Sequence, residues 1–287
     1  MSAPVLPDDI SLLRAPNPSP MTFTGTNTWI VGRSSVVVID PGPIIPAHRE
    51  ALLAAIGTRD VEAVIVTHAH RDHSPLARPL AAEVGCPVVA FGDASAGRSP
   101  VMQALDLSGQ TGGGEGVDSD FYPDVTLADG EAIAGLTAIH TPGHMGNHIC
   151  LDRGDVLFSG DHVMGWATSI VSPPEGDLTD FMQSCRRLLT QPTQLYLAGH
   201  GDPIVNGPAR VQELLDHRLG REAQILASLD HGSKSIEDLV AELYAQTPPA
   251  LWPAAARNIF AHLIDLTQRN LVLPDKCLSA SAKFSRR

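Results

Sequence analysis

At 287 residues, with 43% hydrophobic and 18% charged side chains, the chain is long enough to bury the core of one large domain and carry a small second one. Its composition excludes a disordered or bilayer-spanning protein. The net charge of −12 works against broad, nonspecific attraction to nucleic acid or anionic lipid, while leaving room for a local basic surface.

Read from the N-terminus, the first twenty residues hold five prolines and no cationic start before an apolar run, so no secretory signal is expected and the expected compartment is the cytoplasm. Short β-branched runs bounded by Gly, Ser or Pro predict strands over 28–31, 36–40 and 61–67. Ala and Leu at helical spacing predict helices over 46–56 and 75–84. Further strands are predicted over 88–91, 132–140, 148–152, 156–159 and 195–198, and the alternation is that of an α/β sandwich. The stretch 92–124 breaks it. With Gly112-Gly113-Gly114-Glu115-Gly116 inside, it reads as a surface loop able to cover a cleft, and no Lys-Ser or Lys-Thr follows to make a phosphate cradle. The segment 166–176 reads as a connection on the cleft side.

After Asn206-Gly207-Pro208 the pattern turns helical over 209–229, 235–245 and 254–270, with Ser233 or Ser235 as a cap of the second helix. Residues 269–274 then read as a turn into a short β wing. A winged-helix-like module is expected over 208–274, behind a catalytic domain over 1–207, and 275–287 reads as a frayed basic tail. Cys86, Cys150, Cys185 and Cys277 lack C-x-x-C spacing and fit reduced, packed thiols better than disulfides or a thiolate zinc site.

The densest chemical signal is Thr67-His68-Ala69-His70-Arg71-Asp72-His73. A strand ending near residue 66 delivers His68 and His70, two apart, to the same side, where they can share one ion. Adjacent Asp72 and His73 point apart and can feed a second ion, as two-metal hydrolases need. Three more strand ends carry further donors: His140-Thr141-Pro142-Gly143-His144, Ser159-Gly160-Asp161 and Leu197-Ala198-Gly199-His200-Gly201. Strand ends are the usual place for a site in an α/β sheet.

These motifs, with Ile39-Asp40-Pro41-Gly42, make residues 17–208 resemble the metallo-β-lactamase superfamily. The resemblance implies an αββα sandwich with two ions in a cleft at its edge. It implies that His68, His70 and His144 hold one ion, that Asp72, His73 and His200 hold the other, and that Asp161 bridges them. His70 stands where diiron oxygen-reducing relatives carry Glu, so zinc hydrolysis is favoured over redox chemistry, although iron or manganese fits the same donors. True β-lactamases lack the bridging Asp, which makes β-lactam hydrolysis the less expected task. Asn17-Pro18-Ser19-Pro20, Gly25-Thr26-Asn27-Thr28-Trp29, His217-Arg218, Arg221-Glu222 and Pro253-Ala254-Ala255 are similar to the β-lactamase-like protein 2 subfamily, whose animal member is an endoribonuclease.

The expected activity is therefore hydrolysis by a hydroxide bridging two zinc ions, with Asp72 orienting it, and no G-x-S-x-G elbow competes. Single-stranded RNA is the expected substrate from the subfamily resemblance. Thioester or lactone hydrolysis of the glyoxalase II kind, on a small molecule, is the alternative. Asp40 is expected as a supporting carboxylate and His148 as either a substrate donor or a support, while His162 is expected to point away. In another class altogether, the C-terminal module is a binding or scaffold element. Its third helix offers only Arg257 and Arg269 as cations, which suits contact with a partner subunit, as in a homo-oligomer, or with substrate better than DNA.

Overall fold

The computed structural model describes residues 6–107 and 116–287. One six-stranded sheet runs in sequence order through β1 (Ile10–Arg14), β2 (Asn27–Val31), β3 (Ser35–Ile39), β4 (Asp60–Ile65), β5 (Val88–Ala90) and β6 (Val125–Thr126). β1 to β3 are antiparallel and β3 to β6 parallel, so the crossovers carry α1 (Pro46–Ile56) and α2 (Ala77–Val84). The period of two decides the layers: Val36 and Val38 pack outward against Leu52, Ile56 and Leu80 of these helices, while Val37 and Ile39 face inward.

The second sheet has the order β11-β10-β9-β8-β7, from β7 (Ala132–Ile133), β8 (Leu136–His140), β9 (Ile149–Asp152), β10 (Val156–Gly160) and β11 (Leu195–Ala198). Its inner face sets Ala138, Leu151, Phe158 and Leu197 against Trp29, Ile39 and Ile65 of the first sheet. Its outer face is covered by α4 (Leu178–Leu188) and α5 (Gly207–Leu229) through Phe181, Leu188 and Leu214. Helices outside two sheets make the αββα sandwich.

The C-terminal part packs β12 (Lys234–Ser235), α6 (Ile236–Leu243), α7 (Trp252–Gln268), β13 (Val272–Pro274) and β14 (Lys283–Arg286) around Leu239, Ile259, Leu263 and Phe284. Ser235 caps α6 in a reciprocal box with Asp238. Among the described residues, no helix is long and apolar enough to cross a membrane.

Three expectations change, and one helix has no counterpart among them. The stretch 132–140 is not one strand but a hairpin, because Ala134 (φ 50°) and Gly135 (φ 79°) take the left-handed backbone of a two-residue turn. Part of 92–124 is not loop: α3 (Pro100–Leu107) starts after Ser99, whose hydroxyl accepts from the Met102 N–H, and it packs Met102 into the C-terminal core. The glycine run 112–115 lies outside the described residues. α4, which no expectation covered, is capped by the Asp177 carboxylate accepting from the Thr179 N–H at 2.8 Å.

The tail is not frayed, since β14 is the central strand between β12 and β13 and Phe284 is fully buried. Phe284→Ala should therefore cost about 3 kcal/mol, measured as a lowered urea midpoint of the C-terminal domain; a loss below about 0.5 kcal/mol is what a frayed end would give.

Candidate metal centre

The loop from Thr67 to His73 leaves the end of β4 and is clamped at both ends by one carboxylate. Asp40, at the end of β3 with φ 51°, accepts from the Thr67 N–H at 2.7 Å and the Thr67 hydroxyl at 2.8 Å, and its Oδ2 lies 2.9 Å from His73 Nδ1. Asp40 thus fixes the loop's first residue and its last histidine, and turns His73 Nε2 towards the other donors. The same logic recurs around the site. Thr67 Oγ1 lies 3.0 Å from His68 Nδ1, the Ile170 carbonyl 2.7 Å from His144 Nδ1, and the Gly25 carbonyl 3.2 Å from His200 Nδ1. Each acceptor faces one ring nitrogen, so each imidazole turns its Nε2 towards the centre, where the nitrogen can meet a metal ion once it carries no proton.

These nitrogens converge in two groups. His70 Nδ1 lies 3.0 Å from both His68 Nε2 and His144 Nε2. Two nitrogens on one tetrahedral zinc are separated by about 3.3 Å, so this spacing is close to a coordination edge. In the second group His200 Nε2 lies 3.0 Å from Asp72 Oδ2 and 3.3 Å from Asp161 Oδ2, and His73 Nε2 lies 3.2 Å from Asp72 Oδ2. Asp161 faces both groups, with Oδ2 3.8 Å from His144 Nε2. Its Oδ1 is buried with no hydrogen-bond partner among the described residues. All seven side chains foreseen as ligands are buried, and each group is able to hold a metal ion.

Charge separates the two groups. Burial pushes His68 well below its ordinary value and His70 down to about 3, with neighbouring imidazoles adding to the shift, and burial also lowers His144. These three are neutral lone-pair donors. Against the cost of burial, Asp72, Asp161 and Asp40 hold His73 well above its ordinary value, and Asp161 and Asp72 raise His200 to about 9. The partner imidazolium groups in turn keep Asp72 and Asp161 ionised despite their burial. Protons thus supply positive charge that two carboxylates require, and a cation can replace them.

Small residues make room for this packing. At Gly199 a Cβ would collide with Asp161 Oδ1 and lie 2.7 Å from His73 Cε1. His148 is fully buried, with Nδ1 2.9 Å from Thr141 Oγ1 and Nε2 accepting from the Asp161 N–H at 3.2 Å. It holds the backbone of Asp161 and is out of a substrate's reach. His162 turns away onto Phe181, with Nε2 3.5 Å from Cys185 Sγ.

The segment 25–27 had no foreseen role at the site. Thr26 donates to Asp72 Oδ2 at 3.3 Å, and Asn27 holds the His200 loop by donating to the Ala198 and Gly201 carbonyls at 3.0 and 2.8 Å. The cleft over the donors is walled by Met21, Met164, Ile170, Ser172 and Glu175, of which the last three come from the segment expected on the cleft side.

Two outcomes follow from this geometry. Asp40→Asn should weaken zinc binding about 10- to 100-fold, measured by competition with a chromophoric chelator, and an unchanged affinity would remove Asp40 from the support of His73. Because His73 and His200 carry raised pKa values, an ion entering their group must expel protons that are retained up to about pH 9 for His200. Zinc affinity should therefore rise from pH 6 to 9, by about tenfold per pH unit for each proton released. Calorimetry in buffers of different ionisation enthalpy counts those protons, and binding without proton release contradicts the assignment.

Comparison with known proteins agrees with the architecture. The sequence model described as Metallo-beta-lactamase superfamily matches residues 21–200, and that of the Beta-lactamase associated winged helix domain matches residues 235–280. The chain is 30% identical over 285 residues to the Beta-lactamase-like protein 2 homolog of Drosophila melanogaster, covering 93% of this chain and 90% of that protein. It is 29% identical over 269 residues to a protein of Passalora fulva named Atrochrysone carboxyl ACP thioesterase, covering 89% of this chain and 73% of that one. The crystal structure of a metallo-beta-lactamase family protein from Thermus thermophilus superposes with a TM-score of 0.76 at 26% identity, over 99% of this chain and all of that one. A sandwich whose strand ends gather three histidines beside two histidines and two aspartates, followed by a matching winged-helix domain, places this chain in the metallo-beta-lactamase superfamily of hydrolases.

Proposed function

We propose that the protein is a dinuclear zinc hydrolase acting on small acyl compounds, thioesters foremost. His68, His70 and His144 would hold one ion, Asp72, His73 and His200 the other, with Asp161 shared between them. Two such ions lower the pKa of water towards neutrality and polarise the bond under attack. Asp72, kept ionised by His73 and His200 and steadied by the Thr26 hydroxyl, orients the attacking water and takes its hydrogen bond. His148 and Asp40 keep Asp161 and His73 in place.

The observation that carries the acyl reading is the cleft wall. Met21, Met164 and Ile170 offer apolar contact, and among the described residues no Lys or Arg lines the cleft. A neutral acyl group is accepted there, whereas a phosphodiester would meet no side-chain guanidinium or ammonium among the described residues of the wall. A thiolate also leaves without a general acid, since a thiol ionises near pH 8.5, whereas an alkoxide or amide ion needs a proton. The likeness to a protein named a thioesterase supports the same reading. Cleavage of single-stranded RNA ranks second. Its support is the resemblance to the β-lactamase-like protein 2 subfamily, and the lack of cleft cations counts against it.

The test is a panel of S-acetylpantetheine, an acyl homoserine lactone and bis-p-nitrophenyl phosphate on zinc-loaded protein. The thioester should exceed the phosphodiester by about 100-fold or more in kcat/KM, and Asp72→Asn should lower its kcat by about 100-fold or more. Preferential phosphodiester turnover would reverse the ranking.

A further inference from the structure

Beside the metal cleft, a second cavity of about 330 Å³ opens between α5, α7 and the segment 168–171. Three guanidinium groups line it, Arg218, Arg221 and Arg257, beside His217, Tyr244 and Asn258, with no Asp or Glu among the lining residues. Other arginines on or next to these helices are neutralised, Arg210 by Glu213 at 2.9 Å and Arg269, just past α7, by Glu222 at 2.7 Å. Among the described residues, Arg218, Arg221 and Arg257 have no carboxylate within ion-pair distance.

Arg218 is the most telling of the three. Only 3% of it is exposed, and its guanidinium donates to Asn258 Oδ1 and to the Ser169 carbonyl, both neutral acceptors. Its Nε, like those of Arg221 and Arg257, is buried with no hydrogen-bond partner among the described residues. Arg221 lies over the Tyr244 ring, 4.1 Å from its centroid, which holds it in place without cancelling its charge. Burial lowers Arg218 to about 10, which still leaves it charged at neutral pH. Buried guanidinium charge without a counter-ion is costly, and an anion entering the cavity supplies both the charge and the missing acceptors.

Ile170 joins this cavity to the reaction centre. It lines both cavities, and its carbonyl holds His144 Nδ1 at 2.7 Å. A substrate whose acyl group lies over the metal donors therefore has a cationic compartment next door. Planar guanidinium groups match phosphate oxygens in bidentate pairs, and several uncompensated cations suit a dianion better than a single carboxylate. The cations are confined to one compartment with Leu251, Ala254 and Ala255 on its wall, where a nucleic-acid backbone would need charge spread along a groove.

We propose that this cavity is an anion subsite that receives a phosphate carried on the thiol arm of the substrate, so that the winged-helix domain selects phosphorylated small-molecule thioesters. The thiol arm rests on the acyl-thioester reading above; the anion subsite rests on the arginines alone.

S-acetyl-4′-phosphopantetheine and S-acetylpantetheine differ only in that phosphate and separate the two levels. Zinc-loaded wild-type protein should favour the phosphorylated thioester by about tenfold or more in kcat/KM, through KM. Arg257→Gln and Arg221→Gln should each cut that preference to about threefold or less, and Arg257→Lys should keep part of it. Equal turnover of both thioesters by the wild type overturns the proposal. Turnover of neither overturns the thioester reading instead, and the subsite is then decided by calorimetry with inorganic phosphate. Binding weakened about tenfold or more by Arg257→Gln upholds the anion subsite, and absent binding, or binding that Arg257→Gln leaves unchanged, removes it. Cleavage of a single-stranded RNA oligonucleotide that Arg257→Gln abolishes would assign the cavity to a nucleic-acid backbone and overturn the small-molecule assignment. A wild-type circular dichroism spectrum for each variant, together with the agreement of two variants from different helices, separates lost recognition from lost folding.

Discussion

Two buried carboxylates set the terms for this molecule. Asp72 and Asp161 are each 6% exposed, and ionised acids at that depth persist only where positive charge faces them. His73 and His200 supply it as imidazolium groups, and metal ions can take their place. The rest of the site follows from that demand. Asp40, Thr67, Ile170 and Gly25 each occupy one nitrogen of a histidine, so that the other is free to meet a cation. The sandwich brings the ends of β4, β10 and β11 to one edge, where the donors meet across about 130 residues of sequence.

The donors were legible because they are short motifs at strand ends, and each run of β-branched residues shows where its strand stops. His68, His70, Asp72 and His73 also share one loop, which makes their convergence nearly a local matter. What holds the donors was less visible. Asp40 is part of a turn motif, but its grip on Thr67 and His73 depends on the parallel register of β3 and β4. Thr26 and Asn27 reach Asp72 and the His200 loop only after β2 is laid beside β3, and no spacing in the sequence carries that.

Elsewhere, strong local signals hid weaker ones. The glycines after residue 108 drew a loop over 92–124 and hid the Ser99-Pro100 start of α3. Ala134 gave no sign of a turn because alanine seldom adopts positive φ. Phe284 is a lone buried aromatic in a basic stretch, so periodicity had nothing to count, and only its pairing with β12 and β13 reveals a strand. α4 is the exception, since its Asp177 cap and its apolar residues at helical spacing form a pattern that the sequence does carry.

The C-terminal domain is bound into the enzyme through shared parts. α5 covers the sandwich at one end and enters the winged-helix core at the other, and Arg218 on it grips the Ser169 carbonyl beside the cleft wall. The most direct test of the whole account is anomalous diffraction from crystals of zinc-loaded protein. The account predicts two zinc peaks, one among His68, His70 and His144, the other among Asp72, His73 and His200, with Asp161 between them. A single peak in the three-histidine group, with Asp161 turned away, would contradict it.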